Sequence, residues 1–131
     1  MDHRGVDVKP AAAYAIGRLV FGIAALAVPG TSGPVLAGEG GGAPDAQAFL
    51  RGMGGREIGL GLGLLGAIRA SHPVAPWLVA GVLADCSDIA GIVGAWSAMP
   101  PAKRWLGVGM AGGTAAVGAA LLAKNALLAK K

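Results

Sequence analysis

Apolar residues run through this chain in long stretches, with no alternation in twos and no single stripe at 3.6. A bilayer's hydrocarbon core is about 30 Å thick, so about 20 residues of helix cross it. Four segments meet that requirement, over residues 10–28, 46–70, 77–96 and 105–123. They nearly exhaust a chain of 131 residues, leaving room for one domain. The expected fold is all-α: an integral-membrane, four-helix transmembrane bundle.

The breaks between the stretches set the limits. The first span runs from Pro10 to Val28 and stops at Pro29-Gly30. Residues Thr31 to Pro44, ending in GEGGGAP, are expected to form a loop outside the hydrocarbon. The third span, WLVAGVLADCSDIAGIVGAW, places Trp77 and Trp96 about 28 Å apart, a spacing suited to interface anchors. The fourth, Trp105 to Ala123, is uncharged between Lys103-Arg104 and Lys124.

The second span needs geometry to place it. Its apolar piece, Ile58–Ile68, is too short to cross. With Arg69 and His72 at one interface, Arg56 falls about 20 Å into the core. The helix is therefore expected to begin near Asp45 as N-cap, with Arg51 at the far interface. On that register Arg56 and Glu57 lie within the membrane.

Composition agrees with this pattern. The chain is 54% hydrophobic and 14% charged, against about a quarter charged for a soluble domain. The net charge of +4 sits mainly at expected helix ends and in the tail (Lys124, Lys130, Lys131). That is anchoring to anionic headgroups and calls for no nucleic-acid partner. Arg4, Lys9, Arg69, Lys124, Lys130 and Lys131 gather on one side, against Arg51, Lys103 and Arg104 on the other. The positive-inside rule then predicts a multi-pass protein of the cell membrane with both termini cytoplasmic. Arg18, in the middle of the first apolar stretch, argues against a cleaved signal. The lone Cys86 excludes an internal disulfide and reads as a small filler, as does Ser87. Glycines at 55, 59 and 63, extended by Ala67, and at 109 and 113 read as ladders for close helix approach, internal packing being preferred over a homodimer face.

The chemistry lies in the charges expected inside the membrane. Arg18 falls near the midpoint of the first span, Arg56 and Glu57 near that of the second, and Asp85 and Asp88 flank that of the third. In untilted helices all five occupy a slab about 8–10 Å thick. Asp85 and Asp88, three apart, share a face that continues through Gly81 and Ile92, and Tyr14 shares a face with Arg18. Two arginines face three acids, so one carboxylate of the Asp85/Asp88 pair is expected to lack a cation and to exchange a proton. His3 and His72 lie outside this layer, and no metal and no cofactor is assigned.

Three function classes follow. The first is acid–base chemistry on a lipophilic small molecule, such as isomerisation, cyclisation or epoxide opening. Asp85 and Asp88 would be acid and base, Arg18 and Arg56 would hold a carboxylate or a developing oxyanion, and Glu57 and Tyr14 would complete the site. The second is a proton-coupled transporter of small molecules, dimeric because four helices enclose little space. The third is a structural or accessory subunit in which the charges only fix helix pairing.

The segment RGMGGREIGLGLGLL (Arg51–Leu65) resembles small four-span proteins of unknown function from actinobacteria and fungi, akin to DoxX-like membrane proteins. In them an arginine-glycine-x-arginine-acid element opens the second span; here it would be Gly54-Gly55-Arg56-Glu57. The resemblance implies a four-helix bundle and no settled activity. Occurrence of similar proteins near natural-product pathways favours a small lipophilic substrate.

Overall fold

The computed structural model describes residues 8–128 and 130. His3, Arg4 and Lys131, which entered the sequence reading, lie outside them. All regular structure among the described residues is helical: α1 (Val8–Ala27), α2 (Pro29–Ala37), a 3₁₀ turn (Glu39–Gly42), α3 (Pro44–Arg69), α4 (Ala75–Gly94) and α5 (Pro101–Leu128). Three helices, α1, α4 and α5, are long and apolar enough to cross a membrane.

The four long helices pack as two pairs, α1 along α3 and α4 along α5, and the pairs touch each other much less. At one end an apolar cluster joins them: Tyr14, Ala15, Leu64, Ala67, Val74 and Leu78, with Leu121 and Leu122 packed against it. The sharp α3–α4 turn beside that cluster ends in a Schellman arrangement, His72 N–H donating to Ala67 C=O and Ser71 N–H to Ile68 C=O. Ser71 takes the left-handed conformation there, with φ of 55°.

Few large side chains are fully enclosed, whereas many are outside. Ile16, Val20 and Ile23 form an outward stripe on α1, and Val79 and Leu83 of α4 and Leu106, Met110 and Val117 of α5 are exposed as well. Water would penalise such a surface at roughly 25 cal/mol per Å² of apolar area, a penalty hydrocarbon does not impose.

Three sequence expectations are corrected. The stretch expected as a loop contains α2, because Pro29 at its first position presets the helical φ and Ser32 Oγ donates back to Val28 C=O. Backbone packs on backbone there, since a Cβ on Gly33 would strike Gly41. Asp45 is not the N-cap of α3. That place is Ala43, with Pro44 following, while Asp45 accepts from Ala46 N–H in the first turn. Trp96 lies beyond the end of α4, edge-on to Trp105 with ring centroids 5.1 Å apart and the Arg104 guanidinium over its ring.

The glycine ladders are also out of phase with the packing. The buried positions of α3 are Leu50, Gly54, Glu57, Gly61, Leu64 and Ala67, spaced by four and three. Once Glu57 faces inward, that spacing brings Gly54 and Gly61 with it and turns Gly55 and Gly59 away. Gly54 meets Gly22 of α1 so closely that a Cβ on either would lie 2.7 Å from the other's carbonyl oxygen. A Cβ at Gly55, Gly59, Gly109 or Gly113 would meet nothing within 4 Å; of the expected glycines, Gly63 alone packs, against Trp77.

Candidate functional site

The expected convergence of charges is present, and its geometry is specific. Arg18 of α1 donates through Nη1 to Glu57 Oε2 of α3 and through Nη2 to Asp85 Oδ2 of α4, both at 2.6 Å. Arg56 of α3 donates through Nε and Nη2 to its neighbour Glu57 Oε1, at 3.1 and 3.0 Å. It also forks onto Asp88 of α4, Nη1 to Oδ1 at 2.9 Å and Nη2 to Oδ2 at 2.7 Å. The five groups thus form an alternating chain, Asp85–Arg18–Glu57–Arg56–Asp88, with the glutamate between the two guanidiniums.

This arrangement revises one expectation. No carboxylate lacks a cation: Glu57 shares itself between both arginines, and each aspartate takes one. The excess negative charge therefore belongs to the chain as a whole. Five of the six carboxylate oxygens accept arginine hydrogen bonds, and Asp85 Oδ1 accepts none. The arginines are also spent on carboxylates, which argues against the expected oxyanion role for them.

Burial divides the chain in two. Arg18, Glu57 and Asp85 are each 4% exposed. The outer pair is more open, with the Arg56 side chain at 32% and Asp88 at 28%. Charge-assisted hydrogen bonds of this kind contribute about 1.5–3 kcal/mol each when dry. Removal of one partner of a buried ion pair costs about 3–5 kcal/mol.

Tyr14 seats the inner arginine. Its hydroxyl oxygen accepts from Arg18 Nη2 at 2.6 Å, and the Arg18 Cζ lies 4.8 Å from its ring centroid. Two glycines make room for this contact. A Cβ on Gly81 would lie 2.9 Å from Arg18 Nη2, and one on Gly118 would lie 2.7 Å from the Tyr14 hydroxyl. Arg18 Nε is buried without a hydrogen-bond partner in the protein.

The chain lines a cavity of about 680 Å³. The two helix pairs, joined by the apolar cluster at one end, leave this space between them on the other side of the charges. Its walls are mostly apolar, including Phe21, Met53, Ile92 and Met110, and Leu36 and Ala37 of α2 border it. Thr114 of α5 also lines the cavity, its hydroxyl donating back to the Met110 and Ala111 carbonyls. Lys103 Nζ holds α2 in place through a 2.8 Å hydrogen bond to Val35 C=O.

All six residues singled out in the sequence (Tyr14, Arg18, Arg56, Glu57, Asp85, Asp88) therefore meet, and five of them, all but Arg56, border the cavity. Ile92, expected on the Asp85/Asp88 face, borders it too. The sequence reading missed the methionines, Thr114 and α2, although Gly17 and Phe21, four apart beside Arg18, were a usable signal. Cys86 is exposed on the outside of α4 and fills nothing, while Ser87 edges the cavity and donates to Ala84 C=O.

One oxygen from each of Glu57, Asp85 and Asp88 lies within 4.8 Å of the others, a spacing a divalent cation could bridge. Two guanidiniums already stand among those oxygens, so the donor set is committed to arginine. No protein-family model, curated protein or solved structure matches this chain significantly.

Proposed function

We propose that this chain is a four-helix transmembrane bundle of the cell membrane, with both termini cytoplasmic, whose midplane site carries out acid–base chemistry on a lipophilic small molecule. The observation that carries this reading is the position of the ion chain: it forms part of the wall of a large apolar cavity. Charges that served only to fix helix pairing would have no need of such a space, and close packing would seal them. α3 would cross the bilayer with the three apolar helices because its two intramembrane charges are met by charges of α1 and α4.

The two aspartates take different parts. Asp88 is held by both oxygens in the Arg56 fork, so neither lies outside the arginine hydrogen bonds. Asp85 has one oxygen outside the arginine hydrogen bonds, so it is assigned the transferable proton. Two guanidiniums and three carboxyls balance only when one carboxyl is protonated, and Asp85 meets that count. Its proton would pass to an epoxide oxygen or an alkene carbon of the bound molecule, and Asp88 would serve as the ionised partner that receives a proton later. Glu57, Arg18 and Tyr14 are positioning residues on this reading.

The test compares lipid extracts of cells expressing the wild-type protein with those expressing Asp85→Asn or Asp88→Asn. A lipophilic metabolite should be converted in the wild type alone, with each variant still folded by circular dichroism. Conversion retained in both variants would defeat the proposal.

A further inference from the structure

The ion chain has a charge that follows from counting. Two guanidiniums, Arg18 and Arg56, face three carboxylates, Glu57, Asp85 and Asp88, and hydrogen bonds at 2.6 to 3.1 Å link the five in a row with an aspartate at each end. With all five ionised it carries one net negative charge. That charge is spread over oxygens within 4.8 Å of one another, beside an apolar space. In such surroundings a charge interacts far more strongly than in water. The cavity therefore discriminates by the sign of what enters it.

We propose that the cavity selects lipophilic monocations: a bulky organic ammonium or phosphonium, or the cationic intermediate that protonation of a neutral substrate creates. Three observations converge. Asp85 is 4% exposed, lines the cavity and keeps Oδ1 outside the arginine hydrogen bonds, so its carboxylate borders the space a cation would enter. Both arginines, the groups that would attract an anion, have their terminal nitrogens turned to carboxylates. Phe21 and the methionines in the wall add a ring face and polarisable thioethers, which accommodate a large soft cation.

The consequence for chemistry is a sign rule. Donation of the Asp85 proton leaves the chain at its net negative charge at the moment the substrate becomes positive. The site thus matches cation-forming steps, such as acid-initiated cyclisation or isomerisation of an alkene or epoxide, and opposes enolate or oxyanion formation. A permanent cation takes the place that the proton otherwise fills. The groups facing Asp85 in this exchange are Tyr14 and Arg18 of α1, Glu57 of α3, Asp88 of its own helix and Thr114 of α5.

This inference rests on the cavity as the seat of a lipophilic molecule and on no particular reaction. Its test uses the full chain in nanodiscs of zwitterionic lipid, with empty nanodiscs subtracted. Two probes of nearly equal shape and opposite sign are titrated, tetraphenylphosphonium and tetraphenylborate. Saturable binding of one phosphonium per chain is expected, at least tenfold tighter than borate. Asp85→Asn and Asp88→Asn each leave two arginines against two acids and should lower phosphonium affinity tenfold or more. Gly55→Ala, on the outer face of α3, should leave it unchanged. Equal or tighter borate binding, phosphonium affinity unaltered in both asparagine variants, or no saturable binding would overturn the inference. The two proposals fail separately: phosphonium binding without metabolite conversion removes only the acid–base reading, and conversion without phosphonium binding removes only this one.

Discussion

The 2.6 Å hydrogen bond from Arg18 to Asp85 joins the α1–α3 pair to the α4–α5 pair between two buried side chains. The same guanidinium holds Glu57, so one side chain ties three helices. Arg18→Gln should therefore cost about 3–5 kcal/mol, the penalty for stranding buried carboxylates. Arg18→Lys should not restore stability, because one ammonium cannot reproduce a planar fork that reaches two acids and a phenol. Unfolding in mild detergent, followed by circular dichroism, checks both.

Glycines that look alike in the sequence should behave oppositely. Gly54→Ala places a methyl 2.7 Å from the Gly22 carbonyl oxygen and 2.8 Å from the Leu26 nitrogen, both backbone atoms, and should destabilise by about 1–3 kcal/mol. Gly55→Ala and Gly59→Ala meet nothing and should stabilise by about 0.5–1 kcal/mol through helix propensity. Loss of stability at Gly55 or Gly59 would mean that this face is occupied.

Ser71 is strained where a glycine would not be. At φ of 55° its Cβ is unfavourable, while the hydrogen bonds of the turn are made by the backbone. Ser71→Gly should leave the fold unchanged and raise the unfolding free energy by about 0.5–1 kcal/mol, net of the entropy that glycine adds to the unfolded chain.

Cys86 reports on the bilayer. It lies on the outer surface of α4, near the middle of a helix long enough to span. In intact membranes a charged, water-soluble maleimide should leave it unlabelled, whereas a lipophilic maleimide should react. Rapid labelling by the charged reagent would place that surface in water and defeat the transmembrane proposal.

The long helices were legible because segments apolar on every side leave few alternatives, and the five charges were legible because depth can be counted along a helix. Pairing was not. Which acid meets which arginine depends on the rotation of α3 against α1 and α4, and adjacent Arg56 and Glu57 were both free to reach either neighbour. Glu57 itself carried the missing information: fixing it inward selects Gly54 and Gly61 for contact, which the regular spacing of Gly55, Gly59 and Gly63 obscured. α2 was hidden for another reason. Its composition, PGTSGPVLA, favours turns, and its packing against the Glu39–Gly42 turn is a tertiary contact that local pattern does not encode.

The division into pairs also bears on how the protein is made. Of the ion chain, the α1–α3 half supplies two arginines and one glutamate and the α4–α5 half two aspartates, so neither half balances it alone. On the transmembrane proposal, the first half alone places two guanidiniums and a single carboxylate in the bilayer, one positive charge in excess. Two fragments divided in the α3–α4 turn should each be degraded when produced alone and survive when produced together. The residues that serve the site would then also enforce assembly, since each half protects the other from quality control.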